Sequence, residues 1–265
     1  MSDNRAKLGL SMIVKDEEHV IERCLESIYK YIDYWVICDT GSTDKTKEVI
    51  QNFFDKKKIP GEVVDIPWEG FGKSRTKALE LAKEKMKYAW MIDADDSVVG
   101  KPEIPSELVY DAFTLKIKRG DFTWYRNHIF NLDLNWRYEG VLHEYATCED
   151  HDGMTSIKLP GKYHIEARTE GGRNVDITPQ EKYLKDAEIL LDALTNETVD
   201  KIIKDPPESI WFVFTSAATR EQDFNNPLFQ KIKKTGLIKK FTAYENATPL
   251  NWVIQRGDTK GLPLS

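Results

Sequence analysis

Between residues 8 and 92 the chain alternates short apolar runs with helical patterns, and that alternation restricts the fold more than any other feature. Parallel strands need a crossover between them, ordinarily a helix, so the pattern reads as a parallel sheet covered by helices. "LGLSMIV" (8–14) is the first expected strand, after which Val20, Ile21, Cys24, Leu25 and Ile28 recur at helical spacing. "YWVICD" (34–39) is the second, and "TGSTDKT" is a turn whose Ser42 or Thr43 can cap a helix carrying Val49, Ile50 and Phe53. "GEVVDIPW" (61–68) is the third. Ala78, Leu81, Ala82 and Met86 mark another helix face, followed by the fourth strand, "YAWMID" (88–93).

The texture changes after Asp96. "DAFTLKIKRG", "FTWYRNHIF", "VLHEYATC" and "SIKLPGKYHIEA" follow one another without a long helix, which predicts an added mixed or antiparallel portion of sheet. Beyond "RTEGGRNVDITP" the pattern is helical again: Leu184, Ala187, Leu191 and Leu194 share a face, and "PPESIWFVFTSAATRE" is expected to open another helix. The Gly171–Gly172 loop is the expected internal boundary, separating an α/β domain over 1–174 from a helical extension over 175–265.

With 265 residues, 40% of them apolar, and no apolar run near the roughly twenty a membrane span requires, a globular cytoplasmic protein is expected. The opening "MSDNRAKLGLSMIV" lacks the pattern of an export signal. Cys24, Cys38 and Cys148 are widely spaced and odd in number, so neither a disulfide framework nor a zinc cluster is expected. A net charge of -6 argues against nucleic acid as the main partner, although 38 Lys and Arg residues leave room for a local basic patch.

"YAWMIDADDSVVG" (88–100) runs from an apolar strand straight into Asp93, Asp95 and Asp96. If that segment is extended, Asp93 and Asp95 face the same side while Ala94 faces away. Two carboxylates aimed at one point need a cation or hydrogen-bond donors between them, and strand C-termini of open α/β sheets are where ligands bind. The bland alternative is an acidic turn leading into a helix near Ser97. Asp39 ends the second strand in "DTGSTD", so two strand ends carry acids beside a polar turn, a pattern suited to a nucleotide on one side and a metal on the other.

Competing motifs fail on spacing. A calcium loop starting at Asp93 lacks its glycine and glutamate at Val98 and Ile104, "LHEYAT" has Thr147 where a zinc protease needs histidine, and "GFGKSR" has Arg75 where a dinucleotide fingerprint needs Gly or Ala. Gly72, Lys73 and Ser74 end like a phosphate-binding loop, but Pro67 stands at its first glycine; a nucleoside triphosphatase is the leading rival.

"LSMIVKDEE" (10–18), "DTGSTDKT" (39–46), "PWEGFGKSRTKAL" (67–79), "MIDADD" (91–96) and "NWRYEGVLHEYATC" (135–148) together resemble the family 2 glycosyltransferases. The resemblance implies the GT-A nucleotide-sugar-binding fold, with a central mixed, mainly parallel sheet. It also implies transfer of a sugar, with inversion, from a nucleotide-diphosphate donor, commonly a UDP-sugar, assisted by Mn2+ or Mg2+. Carried over by position, Asp39, Lys73, Arg75 and Asp93 would bind the donor, Asp95 would ligate the metal, and His164 would be a further metal ligand. Glu144 would be the base that deprotonates the acceptor, with Trp136 and His143 as weaker acceptor or sugar contacts. Some relatives continue into tetratricopeptide-like helices, which "EKYLKDAEILLDAL" resembles. An inactive sugar-nucleotide-binding scaffold is the remaining alternative. The acceptor is unassigned.

Overall fold

The computed structural model describes residues 4–142, 144–150, 154–175, 177–178, 181–182, 185–186, 189, 213–216 and 250–253. The chain divides into two units, Met1–Lys185 and Asp186–Ser265. The first opens with β1 (Ala6–Val14), α1 (Ile21–Ile28), β2 (Tyr34–Asp39), α2 (Thr46–Lys57), β3 (Gly61–Asp65), α3 (Phe71–Ala82) and β4 (Met86–Met91). These strands lie parallel in the order β3-β2-β1-β4. The chain steps outward from β1 to β3 and then crosses back to the other side of β1, creating a switch point between β1 and β4.

The second half of the sheet is built from β5 (Ser97–Pro102), β6 (Ala112–Arg119), β7 (Phe122–Asn131), β10 (Ser156–Lys158) and β11 (Gly161–Glu166). It continues β4-β7-β6-β11-β5, with β10 beside β6. β7 is antiparallel to both neighbours and β11 to β5, whereas β10 and β11 run parallel to β6. The whole is a mixed, mainly parallel sheet, as the motif resemblance implies. β8 (Trp136–Glu139) and β9 (Tyr145–Cys148) form a separate antiparallel ladder packed on α3.

Alternation along β2 shows how the sheet sits between two apolar layers. Trp35 and Ile37 join the core formed with α1 and α2, while Val36 and Cys38 join the core beneath α3 and β8. β1 adds Leu8, Leu10, Met12 and Val14 to the first layer. Residues buried on both faces explain why the central strands read as continuous apolar runs.

Three local expectations differ from what forms. Met86 is not on the α3 face; it is the first residue of β4 and packs beneath α3, because the helix stops at Ala82. Neither Ser42 nor Thr43 caps α2: Asp44 Oδ1 accepts from the Thr46 amide (2.9 Å), and Ser42 Oγ accepts from the Asp16 amide (2.9 Å). The Gly171–Gly172 loop lies close over Lys15, Asp16 and Glu17. Within "PPESIWFVFTSAATRE", Val213–Ser216 is a strand, β12, paired antiparallel with β13 (Leu250–Val253), in keeping with its β-branched and aromatic residues.

Thr178 and Glu181 form a reciprocal capping box, with Glu181 Oε2 accepting from the Thr178 amide (2.7 Å) and Thr178 Oγ1 accepting from the Glu181 amide (3.2 Å). The expected helical face of Leu184, Ala187, Leu191 and Leu194 lies outside the described residues. No described helix is long and apolar enough to cross a membrane.

Ile37 is fully buried at the centre of the parallel sheet. Ile37→Ala should cost about 2–5 kcal/mol, read as a lower urea midpoint with an unchanged m-value.

Candidate active site

The loops that leave β1 and β2 are laced together across the C-terminal edge of the sheet. Asp16 takes a left-handed conformation (φ 55°), and its Oδ1 accepts from the Thr43 amide (2.7 Å). The Glu17 amide donates to Thr46 Oγ1 (2.7 Å), and the Glu18 amide to Asp44 Oδ2 (3.0 Å). This lacing fixes the Glu17 side chain beside the acids that follow β4.

Those acids do not alternate as an extended strand would require. β4 ends at Met91, and residues 93–96 form a turn in which the Asp96 amide donates to the Asp93 carbonyl (3.1 Å). Asp93, Asp95 and Asp96 therefore find separate partners. Asp93 Oδ1 accepts from Arg75 Nη2 (2.6 Å), Asp95 Oδ2 from the Glu170 and Gly171 amides (both 3.0 Å), and Asp96 Oδ1 from the Arg168 amide (2.9 Å).

The strap Glu170–Arg173 is part of the site. A Cβ on Gly172 would fall 2.5 Å from the Asp16 carbonyl oxygen, and one on Gly171 would fall 3.0 Å from Glu17 Oε1 and 3.4 Å from Asp95 Oδ2. Only glycines let the strap lie this close. The result is a compact group of carboxylates. Burial pushes Glu17 up to about 7 and Asp96 up to about 8, with the charge of the neighbouring aspartates adding to the effect. Burial also raises Asp95, partly offset by the strap amides. At Asp93 burial acts upward too, but the Arg75 guanidinium outweighs it and holds the carboxyl below its usual range.

Arg75 is the centre of the arrangement. Besides Asp93, its Nε donates to Glu144 Oε1 (2.8 Å). Its guanidinium also lies 5.9 Å from the Tyr138 ring centroid. Glu144 is only 8% exposed, and Arg126 donates to its carbonyl oxygen, so both the side chain and the backbone of Glu144 are gripped by arginines. Thr76 Oγ1, one residue on, accepts from the Tyr138 amide (2.8 Å) and ties α3 to β8.

Asp39 sits below this group, 1% exposed. Its Oδ1 accepts from the Gly41 and Ser42 amides (both 2.8 Å), while its buried Oδ2 has no partner. Lys73 is exposed on the outer face of α3, with Lys77 and Glu80. His164 pairs with Glu166 (3.0 Å) on β11, and among the described residues no three His, Cys, Asp or Glu side chains are grouped to hold a metal ion unaided. His143 lies outside the described residues. Trp136, expected at the sugar, is a core residue: its Nε1 donates to the Asn131 carbonyl (2.8 Å), its ring packs on Phe130 (4.9 Å), and 5% of it is exposed. Where a phosphate cradle would need free backbone amides, Trp68 and Phe71 instead pack edge to face (4.8 Å).

Glu17, Arg126 and His128 were missed in the sequence. His128 falls in an irregularity of β7: Asn127 pairs with Thr114 and Ile129 with Phe113, so His128 is bulged between them. Its Nδ1 contacts the Met91 carbonyl (2.6 Å), and its buried Nε2 is unpartnered. Burial, with Arg126 and Arg75 nearby, lowers it to about 4.

Fold and site together describe an α/β domain whose buried acids gather at the switch point between β1 and β4. Residues 10–104 match Glycosyl transferase family 2, a stretch that runs from within β1 to just past β5. Over 92 residues it is 34% identical to the lipopolysaccharide core biosynthesis glycosyltransferase LpsC of Rhizobium meliloti, covering 34% of this chain and 33% of LpsC. Over 95 residues it is 27% identical to a TPR repeat-containing protein of Synechococcus elongatus, covering 36% and 22% of the two chains. The match thus spans a third or less of each of these relatives. Among solved structures, S. aureus TarS in complex with UDP-GlcNAc is similar at 14% identity and a TM-score of 0.46, covering 96% of this chain and 98% of that one.

A histidine lowered to about 4 in the folded protein binds fewer protons than in the unfolded chain, so its contribution to stability is present above the unfolded value near 6.5 and is lost as pH falls toward 4. His128→Gln should therefore lose less stability than the wild type between about pH 6.5 and 4, by on the order of 1–3 kcal/mol in urea melts.

Proposed function

We propose that the domain over 1–174 is an inverting glycosyltransferase that moves a sugar from a nucleotide-diphosphate donor, a UDP-sugar by family resemblance, to an acceptor hydroxyl or related nucleophile, in a cytoplasmic setting. The observation that carries this reading is the Asp93–Arg75–Glu144 bridge, which ties a donor-side acid to a buried carboxylate through one guanidinium. The 34% identity to LpsC over its matched stretch supports sugar transfer as the chemistry.

On the donor side, the unpartnered Oδ2 of Asp39 is an acceptor suited to a nucleobase N–H or a ribose hydroxyl. Leaving it unpaired in the interior is costly, and a ligand donor would remove that cost. Glu17 and Asp95 come together beneath Gly171, with Glu17 Oε2 buried and unpartnered, and two carboxylates of this kind suit a hard divalent cation. Mg2+ and similar ions are commonly held by one or two carboxylates plus substrate phosphates, so a preformed three-ligand group is not required. Asp95 is the ligand we assign, with Asp93 beside the ribose and Glu17 close by; His164 would join only by a rearrangement that frees it from Glu166. When bound, Mn2+ or Mg2+ neutralises the charge of the departing nucleoside diphosphate.

On the acceptor side, Glu144 takes the proton from the acceptor as its oxygen attacks the anomeric carbon. Arg75 keeps that carboxylate oriented and places a fixed positive charge between the attacking and leaving groups. Attack opposite the diphosphate inverts the anomeric centre. Lys73, exposed on α3, would contact the donor only through its long side chain.

Glu144→Gln should lower turnover about 10²–10⁴-fold while donor affinity, measured by calorimetry, stays within a factor of a few. Unchanged turnover would remove Glu144 from the reaction. Asp39→Ala should weaken donor binding about tenfold to hundredfold through loss of a charge-assisted hydrogen bond.

A further inference from the structure

We propose that the β6–β7 hairpin is a docking surface for an anionic lipid bilayer, an inference that does not depend on the transferase reading. Among the described residues, β7 pairs with β4 only at Ile129–Asn131, so its stretch from Phe122 to His128 has β6 on one side and no described strand on the other. The hairpin end therefore projects past the parallel half of the sheet. At that end Phe122 is 79% exposed, Trp124 38% and Tyr125 48%, a concentration of aromatic surface that a water-facing turn does not need.

Charge accompanies the aromatics. Between residues 114 and 126 there are four basic residues (Lys116, Lys118, Arg119 and Arg126) and one acid (Asp121), in a chain whose net charge is -6. From the neighbouring strands, Lys158 places its Nζ 4.1 Å from the Tyr125 ring centroid, and Lys162 is exposed. Among the described residues, Lys118, Lys158 and Lys162 form no ion pair. Exposed aromatics flanked by unneutralised cations match an interface where rings enter the headgroup layer and lysines meet lipid phosphates.

A carbohydrate surface would call for a different set of side chains. Sugar hydroxyls need carboxylates and amides beside the rings, and the hairpin end offers Asp121 alone. Phe122 has no polar atom to give a sugar, yet it is the most exposed of the three rings.

The test is co-sedimentation of the full chain with phosphatidylcholine vesicles that contain or lack phosphatidylglycerol. Binding should be about tenfold or more tighter to the anionic vesicles and should weaken as salt is raised. Phe122→Ser/Trp124→Ser should reduce that binding about tenfold with an unchanged thermal melt, because both rings are surface groups. Lys118→Glu/Lys158→Glu should abolish the preference for phosphatidylglycerol. Equal or absent binding to the two vesicle types would overturn the proposal. So would full retention of vesicle binding in the aromatic double variant together with displacement by soluble polyphosphate, which would make the hairpin a patch for anionic polymers.

Discussion

Two carboxylates held by one guanidinium set the terms for the rest of this molecule. Glu144 is nearly buried, and a charge in that position without a partner would destabilise the fold by about 3–5 kcal/mol. Arg75 supplies the partner but is itself withdrawn from water, and it is satisfied because Asp93 meets its other nitrogen. The helix carrying it must then approach β8 closely. A Cβ on Gly72 would stand 2.9 Å from the Gly140 carbonyl oxygen, so glycine there permits the approach, and the Thr76–Tyr138 hydrogen bond locks it. The "GFGKSRT" stretch, which looks like a damaged phosphate loop in sequence, is better understood as the geometry that delivers Arg75.

Charge crowding is concentrated at the switch point. Burial, with the neighbouring acids, pushes Glu17, Asp95 and Asp96 above the usual carboxylate range, whereas Arg75 holds Asp93 below it against the effect of burial. A fold selected for stability alone would have no reason to collect these groups under a glycine strap. The strap amides relieve part of the repulsion at Asp95, and the remainder is what an incoming cation would relieve.

The parallel half of the fold was legible because strands buried on both faces leave unbroken apolar runs, and the expected strand over 34–39 coincides with β2. Of the nine residues the resemblance picked out, Arg75, Asp93 and Glu144 meet in one bonded chain; Asp39, Lys73, Asp95, His164 and Trp136 are not members of it, and His143 lies outside the described residues. What failed was directional reasoning. Asp93 and Asp95 could be placed on one side only if their segment were a strand, and a turn scatters them. Trp136 reads alike whether it faces a sugar or a core, since both uses want a large ring in a strand. His128 was passed over because a bulge leaves no periodic trace, and Arg126 because its contact is with the backbone of Glu144, eighteen residues away. Glu17 lay inside the quoted "KDEE", but nothing in that stretch says that a glycine strap from residues 171 and 172 will close on it.

β7 connects features that the chain order keeps apart. Its C-terminal end pairs with β4 behind the acidic turn, its bulge turns His128 toward Arg75 and Asp93, Arg126 holds the Glu144 backbone, and its free start carries the exposed rings. A strand in a packed sheet moves as a stiff unit, because neighbouring ladder bonds must shift together. Displacement at the hairpin end would therefore be felt first at Arg126, which lies where β7 has lost its β4 partner and has only β6 to hold it. The donor acids rest on the doubly buried parallel strands, whereas the Glu144 carbonyl is held from a half-supported one. On the proposed assignment of donor and acceptor sides, that asymmetry would let the acceptor side adjust while the donor side stays fixed, the division suited to one nucleotide ligand of constant shape and a second ligand of varied shape.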